Sequence, residues 1–453
     1  MTKNMNRREV LVTAGAVAAA SAVTTTAFAQ VFGIDNGNGI KNAIDLPNAS
    51  ADRMEARIIA LSEFGKNTDG GVDRVAFSDA DVAGRLHMID LMKTADLEVH
   101  VDPAGNIIGK RAGKNAALAP ILFGSHIDSV PGGGNYDGDV GVIGALEVID
   151  LLNSSNIITN HPLEMIIFTA EESSMIGSRG FTGDLSQRSL DDFTTPGSER
   201  TDGLNRIGGD HTKLRQAKRT TPVHAFVELH IEQGGILEQK KLNIGIVEGI
   251  VGISTWPVKV EGFANHAGTT PMPGRKDALV AASKLIIAIN ERATNMEGRQ
   301  VATVGRIEAF PGASNVIPGT VEFSLQIRDL DADKIQHLFE VIQQEAKMVE
   351  EAKDVKITFG TSGVPAPALT DMRLRSLIEQ STKDLGLTSQ HMQSGAGHDA
   401  QHMAHFTPTG MIFVPSRGGI SHSPKEYTSP QDMANGANVL LHTILKLDET
   451  KLD

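Results

Sequence analysis

The sequence predicts an α/β protein, a mostly parallel sheet into which a second, ferredoxin-like α+β unit is inserted. Three apolar runs carry the first half of that prediction. "APILFGSH", "LEMIIFTAEE" and "AFVELHIEQG" each end in a polar cluster, as strands buried on both faces of a parallel sheet do. The second half rests on a change of pattern near Ser254, where alternating strands and longer helical periods begin.

Taken in order, the chain opens with "MTKNMNRREVLVTAGAVAAASAVTTTAFAQ". Paired Arg7 and Arg8 precede an Ala/Val/Thr stretch, and Ala27-Phe28-Ala29 forms a small-x-small cleavage site. Residues 1–29 therefore read as a twin-arginine export signal, cleaved after Ala29, with the periplasm as destination. The stretch is interrupted by Thr and Ser and falls short of the roughly 20 apolar residues that a spanning helix needs, so no stable membrane association is expected. Because this route carries folded proteins, a metal could be loaded before export.

The rest of the 453-residue chain exceeds what one core usually holds, and two domains are expected. The first part of the larger domain is assigned to residues 40–251, where Val142, Ile143, Leu146 and Ile149 recur at helical spacing between the buried strands. Residues 252–364 follow as the inserted unit. "STWPVKVEGF" alternates like a strand, Lys276 to Thr294 is helical, "VATVGRIEAF" and "GTVEFSLQIRDL" are strands, Ala332 to Ala352 is helical, and "VKITFG" is the last strand. That β-α-β-β-α-β order is the split βαβ arrangement. Residues 365–453 resume the larger domain with a helix near Met372, the strand "GMIFVPS" and a final helix through "ANVLLHTILKL".

Composition excludes several function classes. The chain has no cysteine, so disulfides, thiolate metal sites and a thiol nucleophile are all ruled out. Its net charge of −13 becomes more negative once the basic amino-terminal segment is removed, which argues against nucleic acid as a partner. It leaves small substrates open.

Ligands of open α/β sheets bind beyond the carboxyl ends of the strands. His126, Glu171, Glu172 and His230 each sit where an apolar run gives way to a polar turn, and Asp137 lies on the glycine-rich connection after the first run. His422, in "GGISHSP", is the candidate from the last strand. Three imidazoles and these carboxylates at one rim form a nitrogen/oxygen donor set suited to zinc or a similar divalent ion. Adjacent glutamates are costly side by side unless a cation or different roles separate them. The natural division has one binding metal and the other acting as a base.

"SHIDSVPGGGNYDG", "TAEESSMIGSRGF", "ELHIEQG", "NHAGTTPM", "GASNVIPG", "SGAGHDA" and "PSRGGISHSP" together resemble the di-metal amidohydrolases that include N-carbamoyl-L-amino-acid hydrolase, allantoate amidohydrolase and bacterial β-ureidopropionase, relatives of the two-zinc aminopeptidases. The resemblance implies a zinc-hydrolase catalytic domain with a lid/dimerisation domain inserted. It assigns two divalent ions per subunit, zinc first, with manganese or cobalt as alternatives. His126 and His230 would hold one ion, Glu172 and His422 the other, with Asp137 bridging. Glu171 would be the general base, and Asp128 would orient the His126 ring. A His rather than an Asp at position 230 sets the carbamoylase-like branch apart from typical co-catalytic aminopeptidases.

From the inserted unit, the resemblance makes His266 the lid histidine that polarises the scissile carbonyl, and Asn315 and Arg328 the pair that grips a substrate carboxylate. It further implies a homodimer through the lids, in which the lid histidine and its companions complete a neighbouring subunit's site. Arg328 also falls on the face opposite Val321, Phe323, Leu325 and Ile327 by strand alternation. Pattern alone leaves open a surface pairing with Asp329 or Asp331. His398 and Asp399, in "SGAGHDA", read either as lining the site or as a structural turn, and stay outside the catalytic set. The implied reaction converts an N-carbamoyl-L-amino acid to the L-amino acid, carbon dioxide and ammonia. Allantoate is the alternative substrate, weakened by Ser254-Thr255-Trp256, where the allantoate branch tends to carry a basic residue before the aromatic. An aminopeptidase and a non-catalytic periplasmic binder are the remaining readings, the latter opposed by the intact ligand set.

Overall fold

The computed structural model describes residues 47–361 and 366–452. The export signal and the 364/365 boundary lie outside those residues. Among the described residues, no helix is long and apolar enough to cross a membrane.

Strands β1 (Glu98–Val101), β2 (Ile107–Arg111), β3 (Ile121–His126), β4 (Leu163–Phe168), β5 (Ala225–Ile231) and β6 (Ile244–Ile250) come first. Next come β7 (Gly252–Glu261), β8 (Asn265–His266), β9 (Val301–Phe310), β10 (Val316–Ile317), β11 (Thr320–Asp329) and β12 (Lys356–Phe359). The chain closes with β13 (Ala368–Leu369), β14 (Ser389–Ser394) and β15 (Thr409–Val414).

The large sheet runs β1-β2-β4-β3-β5-β15-β6-β13, with β14 also paired to β6. At its centre β4, β3, β5 and β15 are parallel neighbours. Every residue of these four strands is buried, which accounts for their predominantly apolar character. One face is covered by the helices Ala51–Ser62, Asp139–Ser154 and Pro430–Leu447, which pack on one another. The short helix Asp399–Ala404 packs on β5 and β15, where Ala400 and Met403 join Phe226 and Phe413 in a buried cluster. The antiparallel flanks are not legible from the apolar runs: β1 and β2 are short, and the glycines of "IGIVEGI" in β6 dilute its strand signal.

The chain leaves this sheet after β6 and returns at β13. In between, β12-β7-β11-β9 form a wholly antiparallel sheet. The helices Ala278–Asn295 and Ala332–Lys353 pack on each other and on this sheet. Their first turns are capped by Asp277 and Asp331, each accepting two backbone N–H groups. The segment has a core of its own, including Val258, Val260, Leu285, Leu325, Leu338 and Ile342. Trp256 stacks on Phe339 with ring centroids 4.1 Å apart. The small β8–β10 pair interrupts the expected element order and sits where "NHAGTTPM" meets "GASNVIPG".

Candidate metal centre

Parallel register brings the polar ends of the central strands to one edge. His126 is paired with Phe168 across β3 and β4, and His230 with Phe413 across β5 and β15. Glu171 and Glu172 follow β4, and His422 follows β15. Between β3 and the helix Asp139–Ser154, Asp137 is folded back over His126. Gly138 allows this: its φ is +69°, and a Cβ there would lie 2.5 Å from the imidazole of His126.

Three groups of donor atoms result among the described residues: Glu228, His230 and His398 form one, and the other two meet at Asp137. His126, Asp137 and His230 present ligand atoms within 4.8 Å of one another, as do Asp137, Glu172 and His422. Asp137 belongs to both. Its Oδ1 lies 3.1 Å from His230 Nε2 and 3.7 Å from His126 Nε2, while its Oδ2 lies 3.4 Å from His422 Nε2. Glu172 is 3.4 Å from the same His422 nitrogen. Glu171 belongs to none of the three, yet its carboxylate lies 3.8 Å from His126 Nε2.

The ring tautomers suit cation binding. His126 Nδ1 donates to the Asp128 carbonyl at 3.0 Å, and His230 Nδ1 donates to the Ile231 carbonyl at 2.9 Å. Both Nε2 atoms are left buried without a hydrogen-bond partner, an arrangement that a cation satisfies. Electrostatics point the same way. Burial, Asp399 and Glu172 push the Glu171 carboxyl well above the usual carboxylate range. Burial and Asp137 raise Glu172 to about 8. So many carboxylates cannot all ionise here without positive charge between them.

Asp128 does something other than the expected ring contact. The ring of His126 bonds its main-chain carbonyl; the carboxylate is 3.8 Å away. That carboxylate instead accepts the backbone N–H groups of Glu171 at 3.1 Å and Glu172 at 3.2 Å, so it positions the two glutamates. Behind the site, buried Arg74 donates to the Ile127 carbonyl and to Asp139, which bracket the strand end and the Asp137 loop. Removing one partner of such a buried pair typically costs about 3–5 kcal/mol.

His266 and Asn315 are neighbours across β8 and β10: the Ala267 N–H donates to the Asn315 carbonyl, and His266 pairs with Val316. Both are exposed. His266 Nδ1 accepts N–H bonds from Gly268 and Thr269, so the proton of its neutral ring sits on Nε2. Among the described residues, neither His266 nor Asn315 hydrogen-bonds any member of the cluster. Arg328 lies toward the opposite end of β11 from Asn315, with roughly 26 Å of strand between it and Thr320. It does not pair with Asp329 or Asp331; it donates to Gln326 Oε1 and to the Gly395 carbonyl of its own chain. The Gly395 turn leads to buried His398, whose ring packs 4.4 Å from that of His230 and whose Nε2 meets Ser394 Oγ.

Other residues of the site carry no signal in the sequence. Gln233, within "HIEQG", donates to Asp137 Oδ2 at 2.5 Å, and Ser421 Oγ reaches the same oxygen at 2.8 Å. Buried Glu228 accepts Ser125 Oγ and the Ala400 N–H. Their neighbours are supplied by folding, and no spacing rule marks them.

The peptidase family M20/M25/M40 model matches residues 122–446. N-carbamoyl-L-amino acid amidohydrolase of Geobacillus stearothermophilus is 39% identical over 402 residues, covering 87% of this chain and 98% of that protein. Allantoate amidohydrolase of Bacillus subtilis is 35% identical, over 90% of this chain and 99% of that protein. Among solved structures, a hydantoinase/carbamoylase family amidase from Burkholderia multivorans superposes with a TM-score of 0.83 at 34% identity, over 89% of this chain and 99% of that one.

Proposed function

This chain belongs to peptidase family M20/M25/M40, and from that premise we propose that it hydrolyses the ureido C–N bond of an N-carbamoyl-L-amino acid, giving the L-amino acid, carbon dioxide and ammonia. The observation that carries the reading is Asp137 shared between two ligand groups, with the free carboxylate of Glu171 beside them. The identity to amidohydrolases of carbamoyl amino acids and allantoate supports the substrate class.

In this reading His126 and His230 would hold one divalent ion and Glu172 and His422 a second, with Asp137 available to both. The donor set favours zinc, with manganese and cobalt as alternatives. When bound, such ions would supply Lewis-acid activation of the attacking water and of the carbonyl. Glu171 takes the proton of the attacking water and delivers it to the leaving nitrogen. Its backbone is held for this by Asp128. Arg328 supplies a fork-shaped partner for the substrate carboxylate.

The segment 252–364 serves as lid and dimerisation unit. Among the described residues strand β9 pairs only with β11, and it exposes Val301, Ile307 and Phe310. The adjacent helix Ala278–Asn295 exposes Leu279, Val280 and Ile287. An apolar open edge of this kind is normally covered by another chain, and a second copy is the partner we assign. His266 and Asn315 then reach the neighbouring subunit's metals, with the Nε2–H of His266 aimed at the carbonyl oxygen, while Arg328 serves its own.

The deciding experiment is ammonia release from N-carbamoyl-L-amino acids, allantoate and dipeptides by full-length protein supplied with zinc, manganese or cobalt. Turnover of carbamoyl amino acids is expected; turnover of allantoate alone would reassign the substrate, and hydrolysis of dipeptides alone would overturn the reading. Export to the periplasm is supported by Arg7, Arg8 and the Ala27-Phe28-Ala29 site. Periplasmic protein should begin at Gln30 by amino-terminal sequencing; active protein retaining Met1 would refute cleavage.

A further inference from the structure

Glu426 is 4% exposed and has no ligand role, yet both of its oxygens are committed. One accepts the backbone N–H groups of Tyr136 at 2.9 Å and Asp137 at 3.0 Å. The other lies 2.8 Å from Ser421 Oγ and accepts the His422 N–H at 3.2 Å. A single carboxylate thus joins the loop of the shared aspartate to the loop of the last histidine. The glycine run "GGGNYDG" makes room for it, since a Cβ on Gly134 would lie 2.2 Å from Glu426 Oε1.

His422 is the ligand that needs such help. Its side chain is 48% exposed, whereas those of His126 and His230 are buried. It does not belong to a strand, and its φ of +54° is a left-handed conformation that a non-glycine residue keeps only when its surroundings hold it there. Burial and ring hydrogen bonds fix the other two imidazoles, whereas His422 is held through its backbone N–H.

We infer that Glu426 is a positioning residue for the dinuclear centre: by tying the Asp137 backbone to the His422 backbone it sets the metal affinity of the Glu172/His422 half. The inference rests on the two-ion reading above, and it differs from a general role in folding the loop because it predicts an effect confined to one ion.

The test is calorimetric titration of the chelator-stripped full chain with zinc, comparing wild type, Glu426→Gln and His422→Ala, alongside thermal melting before metal is added. The glutamine keeps one oxygen for the Tyr136 and Asp137 amides, while its NH2 cannot accept from His422. Affinity for one ion should fall by about 10- to 100-fold, with the other ion bound as in wild type and the metal-free melting temperature close to wild type. His422→Ala should weaken that same ion. Wild-type affinities for both ions in Glu426→Gln, an equal loss of both, or a drop in metal-free stability with unchanged affinities would each overturn the positioning role. If wild type itself binds fewer than two ions, the dinuclear reading falls first and takes this inference with it.

Discussion

Glu171→Gln is expected to bind metal as wild type does while losing about 10²- to 10⁴-fold in kcat, the range that a positioned proton carrier supplies. The argument is geometric. Glu171 stands outside both ligand groups, and its amide N–H, unaffected by the change, stays anchored on Asp128 at 3.1 Å. An amide side chain fills the same volume and cannot accept the proton. Stability should not suffer, because burial and the neighbouring Asp399 and Glu172 already disfavour a charge at this position. Glu172→Ala should behave in the opposite way and lose one ion, since Glu172 lies against His422 in the second group. Elemental analysis beside steady-state kinetics decides the matter. Metal loss in Glu171→Gln with full metal content in Glu172→Ala would exchange the two roles.

Why can two adjacent glutamates be told apart in structure and not by spacing alone? The sequence places both at the end of β4, and strand alternation ceases there because Ala170 turns through φ +55°. Which histidine each carboxylate faces depends on that turn and on Asp128 gripping both amides. The strand ends themselves are legible: β3, β4, β5 and β15 are mostly apolar, and the polar cluster that closes each run marks the sheet edge. The two-helix antiparallel unit is legible too, since "GTVEFSLQIRDL" alternates buried and less buried residues; "VATVGRIEAF" does so only over its first half. Glu426, Gln233 and Ser421 are not, because their partners are backbone amides or a carboxylate brought close by folding. A residue that binds backbone leaves no compositional trace. Asp128 illustrates the limit from the other side, with the right residue identified and its hydrogen bonds redistributed between main chain and carboxylate.

Mixing Glu171→Gln chains with His266→Ala chains should restore activity that neither has alone, to about a quarter of wild type if the subunits of a twofold dimer exchange at random. His266→Ala alone should lose about 10²- to 10³-fold in kcat, as the removal of one oxyanion donor does. Recovery follows from the separation along β11. His266 and Asn315 lie together near its start, whereas Arg328 lies near its end and bonds the Gly395 carbonyl of its own chain. If these three side chains share one substrate, as proposed, that separation along β11 favours a site in which the histidine and asparagine come from a neighbouring subunit. In a mixed dimer, the subunit that carries the His266→Ala change keeps its own Glu171 and receives an intact lid histidine from its partner, and that one site is complete. Arg328→Ala provides the control. In the proposed arrangement Arg328 serves its own chain, so mixing Arg328→Ala with Glu171→Gln leaves every site lacking either the base or the guanidinium, and no activity should return. Subunit exchange is followed by mass spectrometry of differently labelled chains, and turnover is measured on the same samples. Proven exchange without recovery in the His266 mixture would sink the shared site, and recovery in the Arg328 mixture would move the guanidinium to the partner's side as well.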